Sequence, residues 1–197
     1  MTGNRDEDPD DDSGELDDPA THHWPVIESA TEYETGWYAG GYDRVEQPDG
    51  SRKDYYWAEL PDAAVIVAVS DGSVIFVEQY RPTIGEHCLE LPAGIVEDGE
   101  SYEEAAAREL REETGFEPGE TELIESVWVA TGVLRHERGI VFAGDLGRAA
   151  RELDTNEFLS VTRHPVEDAL ERAREPPAND ATIEALLLAK ADGYIGW

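Results

Sequence analysis

The sequence predicts a mixed α/β fold of the α+β class, with one principal domain that follows a short antiparallel β extension. Its 197 residues suffice for one domain with a sizeable core and leave little for a second. Strand and helix signals follow one another without a strict βαβ rhythm, and the sequence contains no internal repeat. We expect a disordered acidic tail at 1–23, a β extension at 24–60 and the main domain at 61–197.

The predicted tail is acidic. Residues 1 to 20 hold nine acidic side chains and almost nothing apolar, which is typical of a disordered, solvating segment. His22 and His23 follow, and we expect linker residues there because no cysteine or suitably spaced acid accompanies them. The acidic start does not resemble a signal peptide, and no apolar run approaches the ~20 residues that a membrane-spanning helix needs.

The β extension is rich in aromatic residues on both sides of a turn signal. Pro48, Asp49 and Gly50 favour a tight turn, and the flanking residues favour strands. The aromatic residues are Trp37, Tyr38, Tyr42, Tyr55, Tyr56 and Trp57. The segment therefore predicts two or three β-strands, with a hairpin across the turn.

A β-hairpin opens the main domain. Residues 63–69 and 74–80 are mostly apolar, and the Asp71–Gly72 pair between them predicts a tight turn. Later strands are predicted at 123–130, 139–143 and 158–161, and helices at 165–174 and 180–191. The last helix has an apolar face, and Asn179 or Asp180 caps it.

Between these elements lies a predicted helix from Tyr102 to Thr114. Its residues are mainly alanine, leucine, arginine and glutamate, which favour helices. Ser101 and Glu104 predict a capping box, in which each side chain accepts a hydrogen bond from a free N–H group at the helix start. Gly115 is placed to end the helix, because glycine adopts the left-handed cap conformation without a steric penalty.

Three carboxylates share one side of this helix. Glu109, Glu112 and Glu113 stand at positions i, i+3 and i+4. Their mutual repulsion destabilises an isolated helix, and a hard divalent cation would offset it, since Mg²⁺ favours carboxylate oxygens, water and substrate phosphates. A solvated acidic face is the alternative in so acidic a chain. The triplet alone does not decide between the two.

A longer pattern surrounds the triplet. Its fixed positions are Gly94, Glu100, Arg108, Glu109, Leu110, Glu112, Glu113, Gly115 and Phe116. The segment resembles a complete Nudix box, and a pattern with this many fixed positions is far more specific than a short glycine motif. The resemblance implies an α/β/α sandwich with a mixed sheet over about residues 34–192, strongest from 77 to 116.

The Nudix resemblance also implies a hydrolase of a nucleoside diphosphate linked to another group, working with Mg²⁺ or Mn²⁺. By position, the implied metal ligands are Glu109, Glu112, Glu113 and the main-chain carbonyl of Ala93. Glu112 is also a candidate catalytic residue. Glu100 and Arg108 are expected to hold the loop and the helix together.

Two segments before the box indicate which branch of the family the chain resembles. VEQYRP at 77–82 and LELPAG at 89–94 are similar to the ADP-ribose pyrophosphatase branch of the family. This implies hydrolysis of ADP-ribose to AMP and ribose 5-phosphate. Another nucleoside diphosphate sugar or an oxidised nucleotide is the runner-up substrate. A nucleotide-binding sensor that does not cleave is the remaining alternative, although such domains commonly lose box glutamates and this box has lost none.

Arg81 ends the first of these segments and is the candidate substrate-binding arginine. A guanidinium at a strand end beside the catalytic loop can hold a phosphate through two hydrogen bonds. The alternative is an ion pair with Glu86 or Glu90. We favour the substrate role.

Two further carboxylates are candidates for the catalytic base that activates water. Glu137 lies in the run TGVLRHERG, where related pyrophosphatases often carry a glutamate, and Glu157 lies in the acidic segment 154–157. An acidic loop without a catalytic part is the alternative for the second segment. The parts played by Arg135, His136 and Arg138 stay open.

The aromatic extension predicts a homodimer. Its rings exceed what one small domain easily covers, and such rings favour interfaces. The resemblance implies a two-fold dimer whose N-terminal strands cross to the partner, with Trp37 or Tyr38 against the adenine of the substrate. The alternative is that the rings pack onto the sheet of their own subunit.

Charge restricts the partners of this chain. The net charge is −31, from 15 basic and 46 acidic residues, which disfavours nucleic acids and anionic membranes. The composition resembles that of proteins from salt-loving organisms, in which salt screens the repulsion between surface carboxylates. The single cysteine, Cys88, excludes an intrachain disulfide and suits a reducing cytoplasm.

Overall fold

The structure, a computed structural model, describes residues 23–153 and 158–196. The predicted tail, apart from His23, lies outside the described residues. The segment 154–157, with the candidate base Glu157, lies outside them as well.

The described chain contains thirteen strands and three helices. The strands are β1 Val26–Glu34, β2 Ala39–Glu46, β3 Arg52–Glu59, β4 Ala63–Ser70, β5 Ser73–Arg81, β6 Glu86–Glu90, β7 Ala93–Ile95, β8 Phe116–Glu117, β9 Glu120–Trp128, β10 Leu134–Arg135, β11 Glu137–Gly144, β12 Gly147–Arg148 and β13 Leu159–Pro165. The helices are α1 Tyr102–Thr114, α2 Val166–Ala173 and α3 Asp180–Ala191.

A seven-stranded mixed sheet forms the centre of the main domain. Its strand order is β13-β5-β4-β11-β9, with β6 beside β5 and β7 beside β4. The central strands β4 and β11 run parallel, and their neighbours run antiparallel to them. Residues 64–68 of β4 are all buried, since both faces of the sheet are covered, and this explains the uninterrupted apolar run in the sequence.

Helices cover the two faces of this sheet. On one face, Ala105, Ala106 and Leu110 of α1 pack on Ile66 of β4 and Val141 of β11. On the other face, α2 and α3 pack on a second cluster of buried residues, which includes Val65, Val67, Phe76, Ile140 and Leu186. The predicted α/β/α sandwich with a mixed sheet is therefore confirmed.

The β extension forms a sheet of its own. Strands β1, β2 and β3 pair antiparallel, and β10 of the main domain adds to β3 in parallel. The predicted hairpin joins β2 to β3, and Gly50 takes a φ of 78° in its turn, a conformation that favours glycine. The extension and the main domain are thus joined by hydrogen bonds between β3 and β10.

Local signals located the longer elements well. The predicted bounds of α1 and α3 agree with the structure, and Asn179, rather than Asp180, caps α3 by accepting from the N–H of Thr182 at 2.8 Å. The short strands β6, β7, β8, β10 and β12 were not expected. None of the described helices is both long enough and apolar enough to cross a membrane.

Candidate active site

Helix α1 and its two loops form the framework of the site. At its start, Ser101 Oγ accepts from the N–H of Glu104 at 3.2 Å, and Glu104 Oε2 accepts from the N–H of Ser101 at 2.8 Å. At its end, Gly115 takes a φ of 70° and donates its N–H to the carbonyl of Arg111. The predicted capping box and glycine cap are both confirmed, and they set where α1 begins and ends.

Gly94 makes room for the carboxylate of Glu109. A Cβ atom added to Gly94 would lie 1.9 Å from Cδ of Glu109 and 2.0 Å from its Oε1. The Glu109 carboxylate therefore lies directly against the main chain of β7. The glycine of the box is required here for close approach rather than for an unusual backbone conformation.

Glu113 lies one helical turn further along and contacts the same strand. Its Oε2 accepts a hydrogen bond from the main-chain N–H of Ala93 at 3.1 Å. The exposed fractions of Glu109 and Glu113 are only 9% and 3%. The structure thus brings Ala93, Glu109 and Glu113 together, and it excludes a fully solvated acidic face as the explanation of these two glutamates.

Arg108 links the carboxylates of the box. Its Nη1 donates to Glu109 at 2.7 Å and to Glu112 at 3.3 Å, and its Nε donates to Glu100 at 2.9 Å. Its Nη2 donates to the main-chain carbonyl of Ile95 at 2.8 Å. The hydrogen bonds from Arg108 lower the pKa of Glu100. Arg108 and Glu100 therefore join loop and helix, as expected from the sequence.

The donor set fits a hard divalent cation that keeps open positions. Buried carboxylates and a main-chain carbonyl are oxygen ligands of the kind that Mg²⁺ prefers. Within 23–153 and 158–196, no group of three or more acidic, histidine or cysteine side chains is arranged so that it could hold a metal ion.

Arg81 is held by Glu90. Its Nη2 lies 2.5 Å from Glu90 Oε2, its Nε donates to the same carboxylate at 3.1 Å, and Glu90 is 5% exposed. The hydrogen bond to Glu90 raises the pKa of Arg81, and the charge of Glu113 raises it further. The ion pair that the sequence left as an alternative is present, and Arg81 forms it with Glu90 rather than with Glu86. The negative charge of Glu113 also interacts with Arg81.

Glu137 is the first residue of strand β11. The main-chain N–H of Glu137 donates to Asp62 Oδ1 at 3.0 Å. Burial raises the pKa of Tyr102 to about 12, with smaller contributions from the charges of Asp62 and Glu137. The main chain of Glu137 is thus held by Asp62, whereas Glu109 and Glu113 stand in the last two turns of α1.

Trp37 and Tyr38 lie in the loop between β1 and β2 and are exposed to 72% and 42%. Thr35 Oγ1 accepts hydrogen bonds from the N–H groups of both residues, at 3.1 and 3.0 Å. They line a surface pocket of about 360 Å³ together with Leu60 and Pro61. Both rings are therefore available to a ligand or to a second subunit.

A second pocket adjoins the first and includes residues that sequence reasoning missed. It shares Glu59, Leu60 and Pro61 with the first pocket. Its other lining residues are Asp62, Trp128 and Arg135, and Trp128 is 62% exposed. A tryptophan at the end of a predicted strand was the available signal. Asp62 gave no signal, because its neighbours Glu137 and Tyr102 are distant in the sequence.

The arginines of the run TGVLRHERG have structural partners. The guanidinium of Arg135 lies 4.0 Å from the centre of the Trp57 ring and pairs with Asp43. Arg138 is 9% exposed and reaches Glu184 of α3 at 3.4 Å. The run is therefore attached to the β extension on one side and to α3 on the other, which the sequence left open.

Comparison with known proteins identifies the family. The family model described as the NUDIX domain matches residues 59–186. The chain belongs to the Nudix family. The buried glutamates and the glycine beside them are therefore the carboxylates and the glycine of a Nudix box in its folded form.

Relatives of this Nudix protein include two bacterial ADP-ribose pyrophosphatases. The chain is 34% identical to that of Bacillus subtilis (strain 168) over 140 residues, which cover 70% of this chain and 76% of the relative. It is 30% identical to that of Mycobacterium tuberculosis over 177 residues, covering 87% and 86%. A crystal structure of an ADP compounds hydrolase superposes with a TM-score of 0.77 at 27% identity, covering 87% of this chain and 97% of that one.

Proposed function

We propose that this protein hydrolyses the pyrophosphate of ADP-ribose to AMP and ribose 5-phosphate in a Mg²⁺-dependent reaction. The observation that carries the proposal is the buried pair Glu109 and Glu113 against β7, with the remaining carboxylates of the box in place. The substrate assignment is supported by similarity to ADP-ribose pyrophosphatases along most of the chain.

The proposed metal ligands are Glu109, Glu112, Glu113 and the carbonyl of Ala93, with Mg²⁺ or Mn²⁺ as the cation. Such a cation would offset the charge of the pyrophosphate and make water easier to deprotonate. Arg108 holds Glu109 and Glu112 side by side. Its positive charge also reduces the repulsion between them before any cation binds.

We propose that one of two carboxylates, Glu137 or Glu157, accepts the proton from the attacking water, while Glu112 contributes through the metal site. Glu137 lies at the start of β11, where its main-chain N–H donates to Asp62. Replacing each by glutamine separates them, because loss of the base lowers kcat by about 10² to 10⁴. The pH profile should lose its acidic limb in the same variant, and an unchanged profile excludes that residue.

Arg81 is the proposed phosphate ligand, in contact with Glu90 before substrate arrives. A guanidinium has five N–H donors, so Arg81 can keep Glu90 and still donate to a phosphate oxygen. Trp37 or Tyr38 is the proposed ring against the adenine. Arg81→Lys should raise KM more than it lowers kcat, and an unchanged KM would contradict this assignment.

The test of the function is a substrate panel. The full chain with Mg²⁺ is incubated with ADP-ribose, other nucleoside diphosphate sugars, an oxidised nucleotide and a dinucleotide, and the products are separated by chromatography. We expect the highest kcat/KM for ADP-ribose. A higher value for another substrate supports the runner-up, and tight binding without cleavage of any substrate supports a sensor.

A matched pair of variants tests the site. Glu113→Gln removes a charged ligand and should lower kcat at least a hundredfold while the melting temperature stays close to that of the wild type. Glu103→Gln changes the same residue type in the first turn of α1, away from the ligand pair, and should retain activity. Activity of Glu113→Gln within a few-fold of the wild type would refute the ligand assignment.

We propose a homodimer in which the β extension, residues 24–60, forms the interface. Large side chains of this sheet are exposed, including Val26, Tyr33 and Tyr56 at 54%, 56% and 61%. Sedimentation velocity of the full chain should give a dimer, and Tyr56→Glu should shift it towards monomer. Leu187→Glu, at an apolar site on α3 that is 47% exposed, is the control. A monomeric full chain with undiminished hydrolysis would contradict the proposal.

We further propose that the acidic surface suits a salt-rich cytoplasm. A net charge of −31 produces self-repulsion that salt relieves. The melting temperature should therefore rise clearly between dilute buffer and molar KCl, and a flat or falling curve would contradict this. The cytoplasmic location rests on Cys88, a single buried cysteine, and fractionation of the source cells checks it.

A further inference from the structure

The carboxyl end of α1 is held by residues that follow it at a distance in the sequence. The last carbonyls of a helix have no partner inside the helix and need one elsewhere. The carbonyl of Glu112 accepts from the N–H of Glu152 at 3.2 Å. The carbonyl of Glu113 accepts from Nε of Arg151 at 2.5 Å. These two carbonyls belong to Glu112 and Glu113, and both residues are proposed metal ligands.

Arg151 makes a second bond that fixes its own position. Its Nη2 donates to the main-chain carbonyl of Leu159, the first residue of β13, at 2.8 Å. One guanidinium therefore joins the end of α1 to the start of β13. The planar guanidinium holds its N–H donors in a fixed arrangement, which a lysine ammonium on a flexible stem does not reproduce.

Glu113 is consequently held at two points. Its side chain accepts from Ala93 on one side, and its main-chain carbonyl accepts from Arg151 on the other. The positive charge of Arg151 also lies at the negative end of the helix dipole, where a cation is favourable. Arg151 also lies close to Gly115, where an added Cβ would be 3.3 Å from Cβ of Arg151.

We propose that Arg151 is a positioning residue, which sets the last turn of α1 and thereby the carboxylates of Glu112 and Glu113 for the divalent cation. The inference rests on the proposed metal site and deepens it. Arg151 acts through the main chain of Glu113 and not as a ligand. The sequence offers no signal for this, because Arg151 lies 38 residues from Glu113 and outside the Nudix box.

The experiment measures Mn²⁺ binding to the full chain by electron paramagnetic resonance, without substrate. Arg151→Gln should weaken Mn²⁺ binding about tenfold or more, because partners that orient metal ligands typically contribute 10- to 100-fold in affinity. Arg151→Lys keeps the charge and should recover only part of the loss. With ADP-ribose at saturation, kcat should also fall more than KM changes.

A control variant separates positioning from general loss of stability. Ser101→Ala weakens the capping box at the start of α1, away from the ligands, and should lower the melting temperature without weakening Mn²⁺ binding. Glu113→Gln tests the metal site itself. If Glu113→Gln loses Mn²⁺ while Arg151→Gln binds it within twofold of the wild type, the positioning inference is overturned and the metal site stands. If Glu113→Gln also binds Mn²⁺ normally, both are overturned.

Discussion

Aromatic side chains are packed against the main chain in helix α1 and exposed in the β extension. The ring of Tyr102 in α1 lies against Gly139, where an added Cβ would be 2.2 Å from the ring. In the extension, Trp37 and Tyr56 leave most of their surface exposed. The difference indicates that α1 completes its packing inside one chain. The extension offers a surface that a ligand or a second copy can cover.

Two glycines, Gly94 beside α1 and Gly41 in the β extension, also differ in what surrounds them. Gly94 lies against the carboxylate of Glu109, which is the end of a flexible side chain. Gly41 in β2 lies against the main-chain oxygen of Ala30 in β1, at 2.1 Å from an added Cβ, and the main chain has little freedom to yield. A Cβ at Gly94 should therefore disturb function, whereas a Cβ at Gly41 should disturb stability.

The largest expected effect is that of Gly94→Ala on catalysis. The new Cβ displaces the Glu109 carboxylate, so kcat/KM for ADP-ribose should fall at least a hundredfold while the melting temperature changes little. Steady-state kinetics and thermal melts measure the two quantities. Gly196→Ala is the control, since an added Cβ there meets nothing within 4 Å. Retained activity in Gly94→Ala would show that Glu109 is not a ligand.

Gly41→Ala should show the reverse behaviour. Forcing β1 away from β2 should lower the free energy of unfolding by about 1–3 kcal/mol, the usual range for overpacking. Urea unfolding measures the loss. The proposed dimer should also dissociate more readily in this variant, and Gly196→Ala again serves as the control. A variant of wild-type stability would show that the sheet of the extension adapts more easily than its geometry indicates.

Arg135→Gln tests the link between the two regions. It removes the contact with Trp57 and the ion pair with Asp43. We expect a loss of about 1–2 kcal/mol, since a partly buried cation–π contact is combined with a charge-assisted hydrogen bond. Arg52→Gln is the matched control, because its exposed pair with Glu46 at 3.8 Å contributes little. Equal losses in the two variants would mean that Arg135 does not join the regions.

The smallest expected effect is on pH dependence. Arg108 lowers the pKa of Glu100, so the folded state binds this proton less readily than the unfolded state does. The stabilisation is therefore present above the ordinary glutamate pKa of about 4.3 and is lost as the pH falls through the lowered value. Glu100→Gln should make the unfolding midpoint in urea less sensitive to pH between pH 5 and 3. An unchanged dependence would contradict the assigned cause.

Much of α1 was predictable because its signals act within a few residues. The capping box spans three positions, the glycine cap is adjacent to the last turn, and the helix ran from Tyr102 to Thr114 as expected. The hairpin across Gly50 follows the same rule, since a tight turn and its flanking strands are set locally. The Nudix box added the identities of the carboxylates.

The ion-pair partner of Arg81 could not be predicted from neighbouring residues in the sequence. Glu86 stands directly across from Arg81 in the β5–β6 pairing, yet the ion pair forms with Glu90. Glu90 is 5% exposed, and a buried carboxylate is stabilised strongly by a guanidinium. Burial of Glu90 depends on what packs over the sheet, and the sequence pattern does not specify this.

Interactions between near neighbours in the chain specify the main helices, the principal hairpins and the carboxylates of the box, because capping, turn formation and side-chain spacing act over a few residues. Burial of these carboxylates, and the groups that hold them, depends on the tertiary fold. Ala93 is 20 residues from Glu113, and Arg151 is 38 residues from it. Contacts over such separations exist only after the sheet has formed and brought β7 and β13 to the same helix.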